Sequence, residues 1–142
     1  MENYSDDDLR DVFSQTRTIA VVGFSMNPSR ASHYVAKYLV AQGYNVIPVN
    51  PGHAGTTVFG TTIRATLADI DEPVDMVDVF RRSEAVPEVV EQALTHLKGL
   101  KTIWMQLGVT HEAAAKKARA AGVTVVMNRC PKIEYPRLML GI

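Results

Sequence analysis

The stretch that decides the fold is Thr18-Ile-Ala-Val-Val-Gly-Phe-Ser-Met-Asn-Pro-Ser-Arg30. It predicts a buried strand that ends at Gly23, a short polar loop, and a helix that starts near Ala31. In open α/β folds such a unit holds phosphorylated nucleotides, because helix N-terminal N–H groups and the helix dipole favour an anion. The G-x-G-x-x-G dinucleotide fingerprint is absent, since Ser25 and Pro28 stand where it requires glycine. The stretch therefore indicates a nucleotide-like ligand other than the commonest one.

Length and composition fit one domain over residues 1–142 with a substantial apolar core. Fifteen basic and fifteen acidic residues cancel, so no net field attracts nucleic acid or an anionic membrane. No apolar run approaches the roughly 18 residues of a membrane span. The acidic segment 1–8 has no signal-peptide core, and the single Cys130 excludes an intramolecular disulfide. We expect a cytoplasmic protein that binds neither nucleic acid nor a membrane.

Strands and helices alternate outward from the first stretch. Ser5 predicts the start of an N-terminal amphipathic helix, and Ser83 and Thr110 predict the N-caps of two later helices. The glycine- and threonine-rich segment 51–63 predicts a loop that admits a short strand near Val58. The predicted strands are 18–23, 44–49, 74–80, 101–106 and 123–127.

Five strands separated by helices predict β-α-β repeats with right-handed crossovers. The expected fold is a single-domain, Rossmann-like, doubly wound α/β structure whose parallel sheet is covered on both faces. Numbered along the chain, the predicted strand order is 3-2-1-4-5. The ligand crevice then lies between the C-terminal ends of strands one and four, at residues 23–25 and 106–108.

The first loop supplies polar groups suited to a phosphate or pyrophosphate: Ser25, Asn27, Arg30 and the N–H groups of the following helix. The alternative interpretation is that Gly23 only makes a tight exit from a buried strand. Arg81 and Arg82 follow the third strand, where one of them is placed to meet a phosphate bidentately, or else they are simply solvated or ion-paired.

The end of the second strand bears on the type of nucleotide. A dinucleotide site has an acid there for the adenosine ribose, whereas this chain has Asn50-Pro51, which argues against NAD. Metal chemistry has no support, because the four histidines lack ligand spacing. Cys130 has no base beside it in the sequence, so we interpret it as a core residue and predict no catalytic residue.

Six motifs in order resemble the small stand-alone CoA-binding proteins, which are similar to the CoA-binding Rossmann domain of the succinyl-CoA synthetase α-subunit. The resemblance extends from about Val12 to Leu140. The motifs are Val21-Val-Gly-Phe-Ser25, Asn27-Pro-Ser-Arg30, Val46-Ile-Pro-Val-Asn-Pro51, Val74-Asp-Met-Val-Asp-Val-Phe-Arg81, Trp104-Met-Gln-Leu-Gly108 and Asn128-Arg-Cys-Pro131.

What this resemblance implies is coenzyme A in the crevice. The loop from Gly23 to Arg30 would cradle the ADP phosphates, and residues 106–108 would meet the pyrophosphate or the start of the pantetheine. Related proteins often carry a lysine after the proline of the second loop, where this chain has Gly52-His53. The residues that the resemblance implies for the ligand are Gly23, Phe24, Ser25, Asn27, Arg30, Pro51, Phe80, Arg81, Gln106 and Gly108.

The leading hypothesis is a binding protein for CoA or an acyl-CoA without catalysis of its own, with self-association or a protein partner left open. A second hypothesis is an enzyme that acts on a CoA thioester through Cys130. A third is an NAD(P)-binding regulatory domain, against which Asn50 argues.

Overall fold

A five-stranded parallel sheet forms the centre of the computed structural model, which describes residues 4–142. Its strands are nearly continuous apolar runs, because a parallel sheet between helix layers is buried on both faces. A separate antiparallel hairpin follows the second strand. In chain order the strands are β1 (Thr18–Val22), β2 (Asn45–Val49), the hairpin strands β3 (Thr57–Val58) and β4 (Thr61–Thr62), then β5 (Met76–Val79), β6 (Thr102–Met105) and β7 (Thr124–Val126).

Helices cover both faces of the sheet and divide the core into two apolar layers. The predicted N-terminal helix is confirmed, and Ser5 begins it through a capping box with Asp8. The helices are α1 (Asp6–Gln15), α2 (Ala31–Ala41), α3 (Val86–His96), α4 (Glu112–Ala120) and α5 (Pro131–Tyr135). One layer lies beneath α3 and α4, and the other lies beneath α1, α2 and α5.

The strand order is β2-β1-β5-β6-β7, so the predicted order 3-2-1-4-5 is wrong. The strand at 74–80, which is β5, joins the far side of β1 instead of the outer edge of β2. That outer edge is already occupied by Arg64, whose N–H donates to Pro48 O (3.0 Å) and whose C=O accepts from Asn50 N (2.9 Å). The point at which the chain direction across the sheet reverses therefore lies between β1 and β5.

Two predicted helix caps are also corrected. Ser83 opens a 3₁₀ turn, Ser83–Ala85, and its Oγ accepts a hydrogen bond from Thr110 N (3.1 Å). The cap of α4 is His111, whose Nδ1 accepts from Ala114 N (3.1 Å). The two hydroxyl residues therefore lie in the loops that join strands to helices, and neither caps a helix.

Candidate functional site

Two clefts meet at the C-terminal ends of β1 and β5, the reversal point of the sheet. We call them the α3 cleft, of about 430 Å³, and the α2 cleft, of about 340 Å³. The α3 cleft opens on the face covered by α3, where Val22, Leu67 and Val89 line it. The α2 cleft lies against the first turn of α2 on the other face. Gly23 and Phe80 line both clefts, so the site extends from one face of the sheet to the other around the C-terminal ends of β1 and β5.

Gly23 sets the close approach of the two strand ends. Its φ is +86°, and a Cβ built on it would lie 2.2 Å from the carbonyl oxygen of Phe80. The Gly23 N–H donates to Val49 O (3.1 Å), which keeps the chain against β2 as it turns. Only glycine fits this position without separating β1 from β5. The role of Gly23 as the start of a phosphate loop stays a prediction.

The loop after Gly23 is held by hydrogen bonds around Ser25. Its N–H donates to Ser32 Oγ (2.9 Å), its Oγ accepts from Asn27 N (3.1 Å), and its carbonyl oxygen lies 2.8 Å from His33 Nδ1. Asn27 Oδ1 in turn accepts from Ser29 N (3.0 Å). These bonds fix the backbone of the loop in front of α2, as a preformed anion site requires.

Phe24 takes part in the site only through its backbone. Its side chain is fully buried, stacks on His33 at 5.1 Å between ring centroids, and meets Phe59 edge-on at 5.7 Å. Its carbonyl oxygen accepts a 2.6 Å hydrogen bond from Asn50 Nδ2. The prediction from resemblance that Phe24 cradles phosphates therefore has no support from its side chain, which belongs to the core.

The α2 cleft has the features of an anion site. Arg30 is the N-cap of α2, is exposed, and makes no side-chain capping bond. Together with Ala31, Ser32 and Ser25 it lines the cleft. The N-terminus of a helix attracts an anion through its N–H groups and its dipole. This arrangement places the predicted residues Ser25 and Arg30 at one cleft, with Asn27 bracing the loop beside it.

The α3 cleft carries polar groups from three loops and one helix. Asn50 uses Oδ1 to accept from Gly52 N (2.8 Å) and Nδ2 to donate to Phe24 O, so its amide joins the loop after β1 to the loop after β2 beside the cleft. Pro51 lines the wall and is exposed. Arg81 is exposed, and within residues 4–142 we find no hydrogen bond or ion pair to its guanidinium. The remaining polar residues that line this cleft are Thr66, Glu88 and Gln92.

Gln106 and Gly108 lie one strand further away than predicted. They follow β6, and β5 separates β6 from β1, so neither residue lines the two clefts. The prediction that the fourth strand of the sheet forms the second wall of the crevice is therefore wrong. In the structure Phe80 and Arg81, at the end of β5, form that wall. Gly108 N donates to Asn128 Oδ1 (2.7 Å), which joins the loops after β6 and β7.

Asp78 is a notable residue that the sequence pattern concealed. It lies in the middle of β5, is fully buried, and neither carboxylate oxygen has a hydrogen-bond partner among the described residues. Burial raises the pKa of this carboxyl well above its usual range. Asp75 and Asp78 lie three residues apart, so the two side chains do not share a face of the strand, and β5 is a central strand that is buried on both sides.

Other features add no chemistry to the site. Cys130 is buried in the apolar layer beneath α2 and α5. A larger groove, of about 860 Å³, lies beside α1 at the N-terminal ends of β6 and β7 and contains none of the predicted site residues. Among residues 4–142, no group of three histidine, cysteine or acidic side chains is arranged to hold a metal ion. No helix in the same range has the length and apolarity to cross a membrane.

Comparison with known proteins gives the family and the fold. Residues 17–136 match the family described as CoA binding domain. "Uncharacterized protein YneT" of Bacillus subtilis (strain 168) is 37% identical over 135 residues, which are 95% of this chain and 97% of YneT. The Thermus thermophilus structure "cell-free ID.343" is 41% identical with a TM-score of 0.90, over 96% of this chain and all of that one.

A larger protein contains the same fold. The dinucleotide-forming acetyl-coenzyme A synthetase 1 of Ca. Korarchaeum cryptofilum has a TM-score of 0.68 at 23% identity, over 84% of this chain and 27% of that one. At this identity the likeness concerns the fold alone. The match over residues 17–136 shows more, and the chain belongs to the CoA-binding domain family.

Proposed function

We propose that the protein binds coenzyme A, or an acyl-CoA, over the C-terminal ends of β1 and β5, at Gly23 and Phe80. The observation that carries the proposal is the meeting of the two clefts at these residues, directly in front of the first turn of α2. Their volumes lie within the range of roughly 300–1,000 Å³ that is common for small-molecule sites. Membership of the CoA-binding domain family supports the same ligand.

The diphosphate occupies the α2 cleft in this proposal. There the helix N-terminus and the Arg30 guanidinium supply positive potential, and the braced loop supplies backbone groups. The adenosine end occupies the α3 cleft, beside Pro51 and Arg81. Gly23 and Phe80 line both clefts, so in this proposal the ligand passes from one cleft to the other beside these two residues.

Arg81 is the residue that we propose for the 3′-phosphate. The second loop has Gly52-His53 where related proteins often carry a lysine, so another cation must take that role. Arg81 lines the α3 cleft, and its Cδ lies close to the position of a Cβ on Gly23 (3.2 Å). A guanidinium without a protein partner is able to form a bidentate pair with a phosphate.

Binding without catalysis is the form of the proposal that the site favours. The thiol of Cys130 is buried in an apolar layer and lines neither of the two clefts. The thioester chemistry considered as an alternative requires an accessible thiolate and an adjacent base. Modification of Cys130 by a thiol reagent, and its protection by acyl-CoA, would support that alternative instead.

Isothermal titration tests the proposal with CoA, dephospho-CoA and NAD in parallel. We expect CoA to bind, dephospho-CoA to bind more weakly, and NAD not to compete. Arg81→Ala should weaken CoA about tenfold, since a hydrogen bond to a charged group contributes roughly 1.5–3 kcal/mol. Arg82→Ala is the matched control, because Arg82 is an exposed neighbour that lines neither cleft. Absence of CoA binding to the folded protein would overturn the proposal.

A further inference from the structure

The wall that α3 contributes to the α3 cleft carries two polar side chains, Glu88 and Gln92. They lie four residues apart in the same helix, so they share one of its faces. Glu88 is exposed and Gln92 is half-buried. Among residues 4–142 we find no hydrogen bond or ion pair to either side chain. Both are therefore available to a ligand that occupies this cleft.

Apolar side chains form the deeper part of the same cleft. Leu67 lines it from the 3₁₀ turn Leu67–Asp69 and Val89 lines it from α3, and they are only 2% and 5% exposed. Val22 and Val49, at the ends of β1 and β2, extend this apolar floor. An apolar cavity with a few polar groups that fix orientation is the usual form of a small-molecule site. A heteroaromatic base has the matching division into apolar faces and a polar edge, and adenine is the only such group in CoA.

The other polar groups of the cleft are already engaged or assigned. The N–H and Oγ1 of Thr66 both donate to Asp69 Oδ2, each at 3.1 Å. The Asn50 amide uses its oxygen for Gly52 N and its nitrogen for Phe24 O. Recognition of the polar edge of a base in this cleft is therefore left to the two side chains of α3.

The chemistry of these two side chains selects one kind of base. An ionised glutamate accepts hydrogen bonds and donates none, so Glu88 favours a base that presents a donor. Adenine presents its 6-amino group beside ring nitrogens that accept, and a glutamine amide pairs with such an edge through both of its ends. A base with oxygen at position 6, such as hypoxanthine, would set an acceptor against the Glu88 carboxylate. The Gln92 amide is able to turn to suit either base, whereas a carboxylate is not.

We propose that Glu88 makes the α3 cleft specific for a 6-aminopurine and that Gln92 binds the same edge of the base. The inference rests on the proposed function and deepens it, because it names the base that the cleft accepts and the group that selects it. Glu88 supplies the discrimination between bases, and Gln92 supplies affinity that both kinds of base share.

Isothermal titration tests this with CoA and with the CoA analogue that carries hypoxanthine in place of adenine. We expect wild type to bind CoA about tenfold more tightly, as for one hydrogen bond to a charged group. Glu88→Gln should bring the two affinities to within about threefold, since an amide is able to donate to the oxygen. Gln92→Leu should weaken both ligands about fivefold, as for one neutral hydrogen bond.

Glu91→Gln is the matched control for the loss of charge. Glu91 is an exposed glutamate of the same helix that pairs with Lys117 and lines neither cleft. This variant should keep the wild-type preference for CoA. Thermal unfolding confirms that each variant is folded, and the exposure of Glu88 means that Glu88→Gln should retain the fold.

The outcomes separate base selection from the proposed function. If wild type binds both ligands equally, or if Glu88→Gln keeps the full wild-type preference for CoA, the assignment of Glu88 is wrong while CoA binding stands. If Gln92→Leu leaves both affinities unchanged, the contact of Gln92 with the base is wrong. If wild type binds neither ligand, the proposed function itself fails.

Discussion

Gly23→Ala tests how strictly the site depends on the contact between the ends of β1 and β5. The added Cβ would lie 2.2 Å from Phe80 O, a backbone atom that has no rotamer with which to escape. Ordinary contact requires roughly 3.5 Å, so the two strand ends must separate by about 1 Å. Overpacking of this kind costs about 1–3 kcal/mol. The φ of +86° adds about 1–2 kcal/mol for a residue with a Cβ.

The matched control is Gly43→Ala. Gly43 has a similar φ of +97°, and a Cβ there would meet nothing within 4 Å. It therefore carries the conformational cost without the collision. Urea denaturation should show that Gly23→Ala loses about 1–3 kcal/mol more stability than Gly43→Ala. Titration should show CoA binding weakened about tenfold or more in Gly23→Ala alone, which corresponds to the loss of one hydrogen bond to a phosphate.

Equal destabilisation of the two variants would refute the argument from the contact with Phe80 O. Unchanged CoA affinity in a folded Gly23→Ala protein would refute the placement of the ligand across the two clefts. The two measurements are independent, so the packing argument and the site assignment are judged separately.

Three further predictions concern single side chains. For Asp75, burial alone would raise the carboxyl pKa, but two backbone N–H bonds from the start of β1 and the Lys101 ammonium outweigh it, and the pKa is lowered. This stabilisation is present above the unfolded pKa of about 4 and is lost as pH falls through the lowered pKa of the folded state. Asp75→Asn should therefore reduce the free energy of unfolding by about 1 kcal/mol at pH 7, and the stabilities of the variant and wild type should converge in acid. Asp78 has the opposite effect on the pH dependence of stability: because its pKa is raised, stability falls as pH rises above about 4. Asp78→Asn should therefore flatten the dependence of stability on pH in urea denaturation. Parallel pH profiles of the variant and wild type would contradict this. Asn50→Ala should cost about 1–2 kcal/mol of stability and weaken CoA binding, because its amide joins the loop after β1 to the loop after β2 beside the α3 cleft; unchanged stability and affinity would exclude that role.

The sequence predicted the elements better than their arrangement. Each long strand is a run of β-branched and apolar residues between turn signals, so its existence follows from local pattern. The order does not, because the decisive contact is a single backbone bridge between Arg64 and Val49. A bridge made by one residue leaves no periodic pattern of apolar residues in the sequence. The bridge occupies the outer edge of β2 and leaves β5 the other side of β1.

The predicted site shows the same division. Gly23, Ser25 and Arg30 are close in sequence to the first helix start, and they lie together at the α2 cleft. Gln106 and Gly108 were placed opposite β1 only by the predicted order, and β5 separates them from it. His33 belongs to no metal-ligand pattern in the sequence, and the structure buries it with its Nδ1 2.8 Å from the Ser25 carbonyl oxygen, a contact that no local pattern predicts.

Burial is the physical quantity that local pattern cannot supply. Aspartate usually lies at the protein surface, yet the strand that holds Asp78 has neighbours on both sides and helices on both faces. A polar residue in a central parallel strand is unusual, and recognising it requires knowing which strand is central. Which strand is central depends on the strand order. The Arg64–Val49 bridge, which the sequence pattern does not reveal, therefore bears on both the strand order and the burial of Asp78.

The most direct test of CoA binding over the C-terminal ends of β1 and β5 is a crystal structure of the protein with CoA. We predict the diphosphate within hydrogen-bond distance of the first-turn N–H groups of α2, beside Gly23, and the adenosine in the α3 cleft next to Arg81. Clear density for CoA elsewhere, such as in the groove beside α1, would contradict this placement. So would a nucleotide that occupies only one of the two clefts.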